Sequence, residues 1–154
     1  MSAKLIRILV VDDEPSIVKL LRRVLEDAGY GVATAEGGPE ALAVWRRDGP
    51  FDLLLTDVMM PRISGGELAG RIRQHEPDLK VVYLTGHSDR LFKEKGALWE
   101  YEAFLDKPCS VKGLLEAVSM MLFGHLSPES QETRSVWRRL RSFVAPRDKA
   151  ADRH

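Results

Sequence analysis

The chain has 154 residues, 44% hydrophobic and 30% charged, a length for one domain with a short appendage and a composition that supports a packed core over disorder. Its 23 basic and 23 acidic residues cancel, so no global charge argues for nucleic acid or an acidic membrane as partner. The single cysteine, Cys109, excludes an internal disulfide, and no apolar run approaches the roughly 20 residues that would span a bilayer. The first five residues have no long apolar region behind their lysine, so no signal peptide is read there and a soluble cytoplasmic protein is expected.

In chain order, Leu5-Ile6-Arg7-Ile8-Leu9-Val10-Val11 is apolar and β-branched, which predicts a buried strand stopping at Asp12-Asp13-Glu14-Pro15. Pro15 suits the first turn of a helix, and the acids before it complement the helix dipole. Ile17, Leu20, Leu21, Val24 and Leu25 then recur at helical spacing, and Gly29 supplies a left-handed cap. Gly31-Val32-Ala33-Thr34-Ala35 predicts a short second strand. Gly37-Gly38-Pro39 turns into a second helix holding Ala41, Leu42, Val44 and Trp45, broken at Asp48-Gly49-Pro50.

The apolar run Leu53-Leu54-Leu55 reads as a third strand, buried on both faces and ending in Thr56-Asp57. Ser64-Gly65-Gly66 leads into a third helix with Leu68 and Ile72, stopped at Glu76-Pro77. Residues 80–84 predict a fourth strand ending at Thr85-Gly86, and a weak fourth helix covers about residues 89–95. Residues 102–105 predict a fifth strand before Asp106-Lys107-Pro108. A fifth helix follows from Val111 to Phe123, with Leu114, Leu115, Val118, Met121 and Leu122 on its apolar side. Strands alternating with helices imply an α/β fold, a doubly wound parallel sheet with helices on both faces.

Such a sheet collects the carboxyl ends of its strands on one edge, where α/β proteins place their sites. The residues there are Asp12 and Asp13, then Asp57, Thr85 and Lys107. Taken alone, Asp57 admits two readings: a turn or capping residue, or a half-buried carboxylate acting as nucleophile or metal ligand. Three carboxylates on one edge repel unless a cation joins them, and hard oxygen ligands suit Mg²⁺ or Mn²⁺. Lys107 adds a fixed positive charge and Thr85 a hydroxyl. The set fits attack of Asp57 on a phosphoryl group, with catalysis by positioning and charge neutralisation.

Four pieces together resemble the receiver domain of two-component response regulators: Val10-Val11-Asp12-Asp13-Glu14-Pro15; Thr56-Asp57-Val58-Met59-Met60-Pro61 with Ser64-Gly65-Gly66; Leu84-Thr85-Gly86-His87; and Phe104-Leu105-Asp106-Lys107-Pro108. The resemblance runs from about Lys4 to Phe123, and the four pieces in order are far more specific than any one. It implies the flavodoxin-like strand order 2-1-3-4-5 and a phosphoacceptor role for Asp57, served by a histidine kinase or a histidine phosphotransfer protein. It implies Mg²⁺ held by Asp12, Asp13, Asp57 and the backbone carbonyl of Met59. Thr85 becomes the switch hydroxyl and Phe104 the switch aromatic, where many relatives carry tyrosine; the ring is expected to turn inward when Thr85 moves toward the phosphate. Met59 and His87 would shape access to the aspartyl phosphate, and the Lys107-Pro108 bond would be cis. No separate substrate turnover, hence no enzyme in the usual sense, is expected.

The expected division is a receiver over residues 1–124 and a C-terminal amphipathic helix with a disordered end over 125–154. Ser127 and Pro128 look like a helix start, Val136, Trp137, Leu140, Phe143 and Val144 fall on one face, and Arg134, Arg138, Arg139 and Arg141 stud the rest. This helix has several readings: packing back on the receiver, pairing with a second copy as a homodimer, or engaging a partner groove or membrane surface. DNA binding is not expected, because no second helix follows for a helix-turn-helix. Trp99 and Tyr101 are candidate contact residues or packing residues, and Cys109 a small buried filler.

A free-standing regulator is expected, with output by protein contact through the face of the fourth helix, fifth strand and fifth helix or through the C-terminal helix. The competing readings are a receiver-fold adaptor working without phosphorylation and a receiver module of a hybrid histidine kinase. Two further classes fit less well. A flavin binder would not place Asp12-Asp13-Glu14 where phosphate must sit, and an aspartyl phosphatase wants an acid where the chain has Met59.

Overall fold

The computed structural model describes residues 5–86, 102–107 and 109–124. Among them are strands β1 (Arg7–Val11), β2 (Gly31–Ala35), β3 (Leu53–Asp57), β4 (Lys80–Thr85) and β5 (Glu102–Asp106), and helices α1 (Pro15–Asp27), α2 (Gly38–Asp48), α3 (Gly65–Arg73) and α4 (Val111–Phe123). The sheet is parallel, in the order β2-β1-β3-β4-β5. The expected helix at 89–95, His87, Trp99, Tyr101, Pro108 and the C-terminal segment 125–154 lie outside the described residues, so the expected cis bond at Pro108 does too. No helix among the described residues is long and apolar enough to cross a membrane. The chain divides into two compact units, 1–81 and 82–154.

In the first unit β1 is the central strand. It pairs in parallel with β2 from Arg7↔Gly31 to Val11↔Ala35, and with β3 from Ile8↔Leu53 to Val11↔Thr56. Every residue of Ile8 to Val11 and of Leu53 to Leu55 is at most 1% exposed. Consecutive residues of a strand point to opposite faces, so both faces of this part of the sheet are covered, as the unbroken apolar runs require. The first strand begins at Arg7 and not at Leu5, which is 57% exposed, because its partner β2 begins only at Gly31. At this end Arg7 stacks its guanidinium over Phe51, 4.6 Å from the ring centroid, and its backbone amide donates to Asp52 Oδ2 at 2.9 Å.

The helices follow the expected punctuation. Pro15 opens α1, and Gly29 just past its end takes φ +100°, a conformation open to glycine. Ser64 caps α3 by accepting from the Glu67 amide at 3.1 Å, and Ser110 caps α4 by accepting from the Gly113 amide at 2.9 Å. Two apolar faces differ from the periodicity. The buried stripe of α1 is Val18, Leu21 and Leu25, while Leu20, about 100° around the helix from Leu21, is 55% exposed. In α4 the buried side is Leu114, Ala117, Val118 and Met120, and Leu115, Met121 and Leu122 are only partly covered. Both helices carry more apolar residues than one stripe holds, so packing chooses among them.

Leu55→Ala removes a fully buried side chain from β3 and is expected to lower stability by about 2–5 kcal/mol. Urea unfolding checks it: a lower midpoint at unchanged slope is the expected result.

Candidate functional site

Asp12 follows directly on β1 and is fully buried. Its amide donates to the Ala35 carbonyl at 3.3 Å, and its Oδ1 accepts the Glu14 amide at 2.9 Å. That second bond turns the chain into α1, whose N-cap residue Glu14 makes no side-chain cap of its own. Asp13 is exposed, and Asp57, the last residue of β3, is half-buried. Because Val11 lies opposite Thr56 in a parallel pair, the acids that follow both residues reach the same edge. One carboxylate oxygen each from Asp12, Asp13 and Asp57 can be chosen so that all lie within 4.8 Å of one another.

Three carboxylates this close repel strongly, and a divalent cation is the economical remedy. The donor set is all oxygen, with one buried, one half-buried and one exposed member. It therefore fits a hard cation that keeps several of its waters, which is how Mg²⁺ is usually bound.

The backbone of Asp57 is held from two sides. The buried Thr56 hydroxyl donates to the Asp57 carbonyl at 2.9 Å. Gly65, first residue of α3, donates its amide to the Val58 carbonyl at 2.9 Å. A Cβ on Gly65 would stand 2.3 Å from the Asp57 carbonyl oxygen, so only glycine permits this approach. Between them the loop turns through Arg62, at φ 70°, whose guanidinium pairs with Glu40 at 2.9 Å. Met59 lies in this loop with its side chain 73% exposed. In the sequence Gly65 signals only the start of a helix, and its contact with Asp57 has no local signal.

In the second unit Thr85 ends β4 and is buried, and its carbonyl accepts the Lys107 amide at 2.8 Å. Lys107 is half-buried. Phe104 is 1% exposed, with its ring tilted against Tyr83 at a centroid separation of 5.2 Å. The Tyr83 hydroxyl donates to Glu102 Oε2 at 2.8 Å, and both residues are buried. The ring of Phe104 is thus inside, packed by its own neighbours. Tyr83 and Glu102 were missed from the sequence, although a glutamate inside an apolar strand is itself a signal. Cys109 is half-buried rather than a buried filler, and burial pushes its thiol pKa up.

A parallel 2-1-3-4-5 sheet with an acidic cluster where β1 and β3 end defines a signalling receiver. The chain belongs to the response regulator receiver domain family, whose model matches residues 8–119. This is a phosphoacceptor family of two-component systems, made of signalling modules rather than classical enzymes. The chain is 34% identical over 116 residues to the response regulator receiver protein CpdR of Brucella abortus, covering 75% of this chain and 96% of that protein. It is 37% identical over 116 residues to the alkaline phosphatase synthesis transcriptional regulatory protein PhoP of Bacillus subtilis, but spans only 48% of it. Among solved structures, TrrA of Thermotoga maritima, in complex with Mg²⁺-BeF, is 40% identical with a TM-score of 0.65, covering 77% of this chain and 100% of that one.

Gly65→Ala is expected to displace α3 from Asp57 and destabilise the protein by about 1–3 kcal/mol. Urea unfolding measures that loss, and a fall in the midpoint no larger than that of Gly66→Ala, where a Cβ meets nothing within 4 Å, would count against it.

Proposed function

We propose that Asp57 accepts a phosphoryl group from a phosphohistidine on a histidine kinase or histidine phosphotransfer protein. The observation that carries this is the meeting of the Asp12, Asp13 and Asp57 carboxylates at the ends of adjacent strands. An Asp57 oxygen forms the new bond to phosphorus as the P–N bond to the donor imidazole breaks; the imidazole leaves with that electron pair and takes a proton. Asp12, Asp13 and Asp57, with the backbone carbonyl of Met59, are the residues that would hold Mg²⁺ or Mn²⁺. Bound there, the ion supplies positive charge against the phosphoryl oxygens. The shape of the donor set and the Mg²⁺-BeF complex of the TrrA relative support this reading.

Lys107 and Thr85 are assigned to the remaining phosphoryl oxygens on the strength of their motifs, Lys107 by charge and Thr85 by its hydroxyl. Thr85 and Phe104 then carry the response to the face built on β5 and α4, which contacts a downstream protein. The receiver spans residues 1–124 in this reading, and 125–154 forms a second contact element for a partner or a second copy. Met59 and His87 govern access of water to the acyl phosphate.

Intact-mass measurement after incubation with acetyl phosphate and Mg²⁺ tests the acceptor. The expected outcome is a gain of one phosphoryl that hydroxylamine removes and that Asp57→Ala abolishes; the same gain in Asp57→Ala would sink the assignment. Asp13→Asn is expected to weaken the apparent Mg²⁺ dependence of labelling by at least the roughly 10-fold that a lost supporting group costs a metal site. His87→Ala is expected to change the decay rate of the phosphorylated protein after desalting. An unchanged half-life takes His87 out of the site.

A further inference from the structure

Four side chains of the second unit form a row, of which Thr85 and Phe104 stand in the motifs that carry the resemblance and Tyr83 and Glu102 stand outside them. Side chains alternate along a strand, so Thr85 shares its face of β4 with Tyr83, two residues earlier. On β5 the corresponding residues are Phe104 and Glu102, both touched by Tyr83. All four are at most 3% exposed. The tyrosine is therefore held at both ends. Its ring lies against Phe104 at 5.2 Å, and its hydroxyl is tied to the Glu102 carboxylate at 2.8 Å.

A buried carboxylate is expensive unless hydrogen-bonded, and a tyrosine bound to one keeps its ring in one place. A ring so fixed leaves its neighbour fewer places to go. We infer that the Tyr83–Glu102 pair is a lock that holds Phe104 in its buried position, so that Tyr83 and Glu102 are positioning residues for the switch. The inference rests on the phosphoacceptor reading for its consequence: Phe104 buried is the arrangement that phosphorylation favours there. The lock then populates that arrangement through the chain's own contacts. By linkage it raises the affinity of Asp57 for a phosphoryl mimic by the same factor by which it favours the buried ring.

The test uses the full chain with Mg²⁺ and beryllofluoride as the phosphoryl mimic. Two signals are read by nuclear magnetic resonance: the Asp57 amide, titrated with beryllofluoride, and the relaxation of Phe104 ring protons by a soluble paramagnetic agent. Tyr83→Phe keeps the ring and deletes the hydroxyl. It is expected to raise relaxation of the Phe104 ring and to weaken beryllofluoride binding on the order of 2–10-fold, the range of one lost hydrogen bond. Glu102→Gln retains an acceptor oxygen and is expected to stay within about twofold of wild type, whereas Glu102→Leu behaves like Tyr83→Phe.

A purely structural pair would lower the melting temperature in Tyr83→Phe and leave both signals as in wild type, and that result overturns the lock. If Tyr83→Phe does not fold, the comparison of Glu102→Gln with Glu102→Leu decides by the same two signals. An Asp57 amide that ignores beryllofluoride in wild type removes the phosphoacceptor reading itself, and the role of the lock in signalling goes with it. The two failures are thus told apart by the wild-type titration.

Discussion

Repulsion among the carboxylates of Asp12, Asp13 and Asp57 is the constraint that organises the first unit. One oxygen from each of the three can be chosen so that all lie within 4.8 Å of one another, a separation at which like charges repel. The fold enforces that approach with rigid parts. Asp12 is fully buried and spends one oxygen on the Glu14 amide, and Asp57 terminates a strand whose preceding three leucines have almost no exposure. A site built on strand ends is held more exactly than one on loops, which suits chemistry that depends on placement rather than on a reactive cofactor.

The loop after Asp57 combines freedom with a tight anchor. Its backbone is secured at the Gly65 amide and by the Thr56 hydroxyl, while Met59 stands out in solvent. That division separates two demands. In the proposed reading the carboxylate must stay in place while it attacks phosphorus, and the side chains around it can vary to tune how long the product survives. Glu40 and Arg62 add a surface tie between the start of α2 and this loop, but an exposed pair of this kind contributes little stability.

In the proposed reading the second unit answers a different problem, how a polar event at a strand end reaches a distant face. Its buried face carries a hydroxyl, a phenol, an apolar ring and a carboxylate on two neighbouring strands. Polar groups in such a place specify one arrangement because the alternatives leave a donor or acceptor unsatisfied. Thr85 and Lys107 stand in the motifs that carry the resemblance, whereas Tyr83 and Glu102 stand outside them and are joined by packing. They give this receiver a means of presetting the position of Phe104 that the motifs do not encode.

The order of strands and helices could be read from the sequence because its signals are local. Apolar runs such as Leu53-Leu54-Leu55 mark buried strands, and Ser64, Gly29 and Pro15 mark helix ends by the backbone geometry each allows. The acids at the ends of β1 and β3 were legible for the same reason, since each stands where an apolar run stops. Tertiary structure decided what depends on residues far apart in the chain. It buried Val18 and Met120 in place of Leu20 and Met121, pressed Gly65 against the Asp57 carbonyl, and joined Tyr83 to Glu102. Period and punctuation say which way a side chain can face; only the neighbour brought beside it says which way it does.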